Sequence, residues 1–186
     1  FFMVRVASLH KLSAANVTTT DASGMTPKEQ LDAVNEKEHG MVEQRYQIYN
    51  DQLLPELAAQ NIQILHVRNL DAEQYEYVRR YFNEELMPVL TPMADDTSRP
   101  FPFISNNSLN IAVKLERDQE IQGRSQEPHD ENTENEEKFA TVRVPEIYKR
   151  LVKLPGENQF VLLDELIKEF LSVLFPGYRI ISSGTY

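Results

Sequence analysis

Thr26 to Asn61 is the stretch that most limits what this chain can become, because it reads as one long helix with its own start signal. Thr26 is a candidate N-cap, Pro27 stands where a helix best tolerates proline, and Glu29 falls where it closes a capping box. Behind that start, Leu31, Val34, Met41 or Val42, Tyr46, Tyr49, Leu53 and Leu57 recur at helical spacing and predict one apolar face. Pro55 lies inside the pattern and predicts a kink or break near Asp51 to Leu54. A helix of this kind is stabilised mostly by burying its apolar face, so partners are required.

The flanking sequence supplies candidates. Phe2, Val6 and Leu9 fall on one side of a helix over 1–12, followed by a Ser-, Thr-, Asn- and Gly-rich loop over 13–25. Asn61 is a helix stop, and Ile62 to Val67 is extended. Asp71 with Gln74 forms a second capping box, opening a helix over 72–87 with Tyr75, Val78, Phe82 and Leu86 on its apolar face, ended by Pro88. These elements predict an N-terminal antiparallel helical bundle or hairpin over residues 1–90.

Pro92, Pro100 and Pro102 mark residues 91–108 as a linker, since proline lacks a donor and restrains its neighbour. After it the period changes to two. Leu109, Ile111, Val113 and Leu115 alternate with Asn110, Ala112 and Lys114, as in a half-buried strand. Phe139 to Val144 reads as a second strand pairing back on the first, Pro145 to Arg150 as a short helical turn and Phe160 to Leu163 as a short strand or an extended entry to the next helix. Asp164 is read as the cap of a helix stopped by Pro176-Gly177, and Tyr178 to Ile181 as a last strand. The fold class is therefore α+β, with helices first and a small module containing antiparallel strands over 109–186.

Charge excludes more than it identifies. The net charge is −10, and the segment 116–138 holds nine acidic and three basic residues, which accounts for −6 of it. That segment reads as a solvated acidic loop, and an acidic chain argues against nucleic acid as a partner. There is no cysteine, hence no disulfide, thiolate nucleophile or zinc–thiolate site. No apolar run approaches the roughly 20 residues of a transmembrane segment.

No catalytic constellation emerges from the residues. His10, His39, His66 and His129 lack metal-spaced partners and read as exposed or partly buried polar residues. Glu84-Glu85 and Asp95-Asp96 are adjacent pairs, which do not face each other on a helix. Arg79-Arg80 and Lys149-Arg150 read as salt-bridge partners ahead of phosphate ligands, and Tyr46, Tyr49, Tyr75, Tyr77 and Tyr81 as packing residues.

Several short phrases, in order and at consistent spacing, carry a resemblance. They are Phe1-Phe2-Met3-Val4-Arg5-Val6-Ala7, Leu53-Leu54-Pro55-Glu56-Leu57, Tyr81-Phe82 through Pro88-Val89-Leu90-Thr91-Pro92, and Arg99-Pro100-Phe101-Pro102-Phe103-Ile104-Ser105-Asn106 into Ser108-Leu109-Asn110. Val144-Pro145, Leu154-Pro155 and Leu174-Phe175-Pro176-Gly177-Tyr178 follow. Together they resemble the long, multidomain bacterial polyphosphate kinase.

The resemblance implies a fragment: the N-terminal helical domain, truncated at its start, then the first part of the head domain. The whole enzyme would reversibly transfer the terminal phosphate of ATP to polyphosphate through a phosphohistidine, using magnesium. The family's phosphorylated histidine and metal-binding arginines belong to its C-terminal domains, so none of the four histidines inherits that role. The fragment itself is expected to be non-catalytic, with no catalytic or metal-binding residue and no bound cofactor. It would contribute to the nucleotide-side wall and, through the head domain, to a homodimer or homo-oligomer contact. Arg5 is the one residue nominated to face nucleotide or polyphosphate, its competing role being a surface salt bridge. The resemblance also implies a cytoplasmic protein, with peripheral association at the inner membrane left open. A rival reading is a stand-alone protein–protein interaction module docking a partner on the long helix.

Overall fold

The computed structural model describes residues 1–94, 104–117 and 137–186. Within them the chain packs as two compact units, Phe1–Gln60 and Asn61–Tyr186.

The first unit is helical. A π-helical turn at Phe2–Val6 runs into α1 (Ala7–Ala14). After a loop in which Gly24 takes a positive φ of 79°, α2 (Pro27–Gln47) begins. Its start is the expected capping box: the Glu29 amide donates to Thr26 Oγ1 at 3.3 Å, and the Thr26 amide donates to the Glu29 carboxylate at 2.7 Å. The predicted disturbance before Pro55 takes the form of a wide π-helical turn, Ile48–Leu53, leading into α3 (Leu54–Ala59). Because Pro55 sits in the first turn of α3, its missing N–H removes no bond that a helix start would have made. Asn61, with φ of 58°, supplies the left-handed residue that ends the run.

The core of this unit is small: Val6 and Leu9 pack on Leu31, with Val34 half-buried beside them. Much of the apolar face expected of α2 is not covered, and Met41, Tyr46, Ile48 and Leu53 are exposed.

The second unit carries both sheets. β1 (Gln63–Leu65) is followed by a 3-10 turn at Val67–Asn69 and by α4 (Ala72–Tyr81), which continues as a π-helical turn over Phe82–Leu86. The second capping box is present at Asp71 and Gln74. Next come β2 (Pro92–Ala94), β3 (Asn110–Arg117), β4 (Lys138–Arg143), β5 (Leu151–Lys153) and β6 (Gln159–Leu162). Two short helices, α5 (Leu163–Glu169) and α6 (Leu171–Leu174), lead to β7 (Tyr178–Thr185). One sheet has the order β2-β4-β3-β7 and is antiparallel throughout, while β1-β6-β5 pairs β1 with β6 in parallel. Ile111, Val113 and Leu115 of β3 are fully buried, as the period of two predicts, and meet Phe82, Leu86, Val142, Val161, Leu166 and Ile167 in one core.

Three expectations need correction. The helix beginning at Ala72 belongs to the second unit, so the helical unit closes at Gln60 and not at residue 90; the physical reason is that Val78, Phe82 and Leu86 bury against the sheets. The segment 91–108, read as linker, contains β2, an edge strand opened by Pro92, the position at which a strand accepts proline. Asp164 is not a helix cap: α5 starts one residue earlier, and its buried carboxylate instead accepts from Arg150 at 3.3 Å and Thr185 at 3.2 Å. The parallel pairing of β1 and β6 was not legible. It is supported from the side by a glutamine relay, Gln74 Nε2 donating to Gln159 Oε1 at 2.6 Å and Gln159 Nε2 to Gln63 Oε1 at 3.0 Å. Residues 95–103, with Asp95-Asp96 and most of the Arg99–Asn106 phrase, and residues 118–136, most of the acidic loop with His129, lie outside the described residues.

Candidate functional site

The nominated residue, Arg5, lines a groove of about 650 Å³ in the first unit. The π-helical start places Phe1, Phe2 and Arg5 along one side, and α2 supplies the other through Val34, Met41 and Val42. The lining is mostly apolar. Its charge comes from Arg5, Lys37 and Arg45 against a single carboxylate, Glu38.

Arg5 is tied in place. Its Nη2 donates to Gln30 Oε1 at 2.6 Å and to Asp21 Oδ2 at 3.1 Å, clamping the loop before α2 to the helix. The Asp21 carboxylate also accepts from the amide and hydroxyl of Ser23. Those two hydrogen bonds, and then the Arg5 charge, hold its pKa below the usual carboxylate value. Glu29 is lowered likewise by the Thr26 amide and hydroxyl. Arg5 is about half exposed, so the salt-bridge role is present in the structure and the guanidinium still faces solvent on one side.

Lys37 and Arg45 were missed by sequence reasoning. The signal was available, because Lys37, Met41 and Arg45 recur every four residues and so share a face of α2. Arg45 lies over the ring of Tyr46, 5.1 Å from its centroid.

The other candidates are dispersed. His39 places Nδ1 2.7 Å from the Asn35 carbonyl, an engagement with its own helix, and His10 is exposed. Arg79 pairs with Glu76 at 2.7 Å, and Arg150 with Asp164. The tyrosines of α4 pack as read: Tyr77 stacks on Tyr81, Tyr81 meets Tyr148 edge-on, and Tyr75 lies against Phe170. In the second unit a polar cleft of about 370 Å³ gathers His66, Arg68, Glu165, Lys168, Glu169 and Ser183. Tyr75 donates to Glu169 there at 3.2 Å, and burial, reinforced by the Glu169 charge, raises the pKa of its phenol. Lys168 is paired with Glu165 within α5. The magnesium implied by the resemblance takes clustered oxygen ligands. Among the described residues no three carboxylates or imidazoles converge, so they do not fit such a site. Among the same residues, no helix is long and apolar enough to cross a membrane.

Comparison with known proteins places both units. Residues 1–65 match the family model for the polyphosphate kinase N-terminal domain, and residues 73–186 the model for the polyphosphate kinase middle domain. A polyphosphate kinase of Lactiplantibacillus plantarum is 44% identical over 187 residues, covering 100% of this chain and 24% of the relative. One from Bacillus anthracis is 37% identical over 186 residues, covering 98% of this chain and 25% of the relative. The crystal structure of polyphosphate kinase from Porphyromonas gingivalis superposes with a TM-score of 0.73 at 27% identity, covering 100% of this chain and 26% of that one. The chain thus spans about a quarter of the length of these relatives. On this correspondence of sequence and fold, the chain belongs to the polyphosphate kinase family.

Proposed function

We propose that these residues form a non-catalytic part of a cytoplasmic polyphosphate kinase that reversibly transfers the terminal phosphate of ATP to polyphosphate through a phosphohistidine. The observation that carries this reading is the end-to-end correspondence with polyphosphate kinases about four times as long. Phosphoryl transfer rests on positioning and charge stabilisation. This chain's contribution is positional: the first unit supplies wall on the nucleotide side, with Arg5 facing phosphate, and the second unit takes part in a homodimer contact. Magnesium, which neutralises charge on the phosphates, is held by other parts of the enzyme.

Isothermal titration of the chain with magnesium-ATP and with polyphosphate at low salt, where charge effects are largest, tests the division of labour. Absence of heat supports binding apparatus elsewhere in the enzyme. Saturable binding lost in Arg5→Ala contradicts that division and makes Arg5 a ligand in its own right. A second reading, an interaction module that docks a protein, draws on the uncovered face of α2.

A further inference from the structure

The polar cleft of the second unit holds hydrogen-bond donors that the fold does not use. Three elements build it: the 3-10 turn after β1, the helix α5 and the strand β7. Val67 is buried and pins the turn, leaving its neighbours His66 and Arg68 exposed along the cleft. Ser183 stands opposite Val113 in the β3–β7 pair, and cross-strand partners project to the same side of a sheet. Val113 is fully buried in one core with Leu166 and Ile167 of α5, so Ser183 projects to the side that α5 covers. Thr185 Oγ1 donates to Asp164 at 3.2 Å, fastening α5 to β7 one helical turn before Lys168. Packing and this bond set the walls, and the cleft's own charges are not needed to hold them.

Those charges are unevenly spent. Lys168 is paired with Glu165, and Glu169 accepts from Tyr75 at 3.2 Å. Among the described residues, the side chains of Arg68, His66 and Ser183 have no hydrogen-bond or ion-pair partner. Arg68 can only donate, through a planar fork that matches a carboxylate or a phosphate, and the Ser183 hydroxyl and one His66 ring nitrogen can donate beside it. What the three lack is an acceptor. Two cations and two carboxylates line the cleft, so with His66 neutral it carries no net charge. That balance provides no surplus attraction for a polyanion and favours one small oxyanion seated directly on Arg68.

We infer that this cleft binds a single small oxyanion, a phosphate or a carboxylate group, with Arg68 as its charged ligand and Ser183 and His66 as flanking donors. The inference stands on the geometry of the second unit and does not draw on the activity proposed above.

The test is an NMR titration of the 186-residue chain with inorganic phosphate, acetate and tripolyphosphate in turn, at constant ionic strength so that screening does not change. Phosphate or acetate is expected to shift the Arg68 guanidinium and Ser183 amide resonances saturably, and the tighter of the two names the group the cleft prefers. Arg68→Met should weaken binding by about tenfold or more, the loss of a charge-assisted contact. Arg80→Met, which removes an exposed cation elsewhere on the unit, should leave it unchanged. Glu169→Gln removes a carboxylate from the cleft while keeping an acceptor for Tyr75, and should tighten binding several-fold, a gain that misfolding does not mimic. Tripolyphosphate should bind within a few-fold of phosphate. Shifts that never saturate overturn the inference, as does an equal loss in Arg80→Met or weaker binding in Glu169→Gln. Tripolyphosphate binding tenfold or more above phosphate overturns it too, because the surface would then be a diffuse polyanion patch.

Discussion

Arg5 and Asp21, sixteen residues apart in sequence, are joined by an ion pair of 3.1 Å that fastens the first helical turn to the loop before α2. Because Arg5 is about half exposed, solvent screens the pair, and surface pairs of this kind contribute about 0–1 kcal/mol. Arg5→Ala is therefore expected to shift the urea midpoint by less than ~1 kcal/mol equivalent. A larger loss would mean that the clamp holds the whole helical unit together.

The same loop carries a pH dependence. Asp21 and Glu29 have folded pKa values below their ordinary 3.8 and 4.5, so both bind protons more weakly folded than unfolded. Their contribution is present above those ordinary values and is lost as pH falls through the lowered ones, below about pH 4. An NMR titration should show the Ser23 amide resonance moving only in that acid range, and Asp21→Asn should abolish the movement. A midpoint at or above 3.8 for Asp21 would contradict the hydrogen-bonded geometry.

The two capping boxes act on different units. Thr26→Ala removes an acceptor from the start of α2 and Asp71→Ala one from the start of α4, each at a cost of about 1 kcal/mol. Hydrogen exchange should report faster opening of α2 alone in the first variant and of α4 alone in the second. Acceleration of both helices by either change would show that the units open together.

In the second unit, Phe82 is fully buried and stacks on Phe170 with ring centroids 4.7 Å apart. Phe82→Ala should cost about 3–5 kcal/mol, and Phe82→Leu under about 1.5. Equilibrium unfolding followed by circular dichroism separates these values, and a loss below about 1 kcal/mol for the alanine variant would contradict the placement of α4 in this core.

What was legible in the sequence was local. Thr26 with Glu29, Asp71 with Gln74, and the alternation of Ile111, Val113 and Leu115 each signal structure through neighbours a few residues away. The partner of α4 was not legible, because Val78 and Phe82 on an apolar face state that something covers them without stating what. Burial of Asp164 depends on Arg150 and Thr185, which reach it from other elements, so a cap was the nearer reading. At the candidate site Arg5 could be nominated from resemblance, whereas its gathering with Lys37 and Arg45 follows from two helical segments meeting across the groove.

The most direct test of the central claim is a phosphoryl-transfer assay with labelled magnesium-ATP and polyphosphate, run on these 186 residues and on the full reading frame that contains them. Label transfer is expected from the full polypeptide and none from the 186 residues. Saturable transfer by the short chain, or none by a folded full polypeptide, would contradict it.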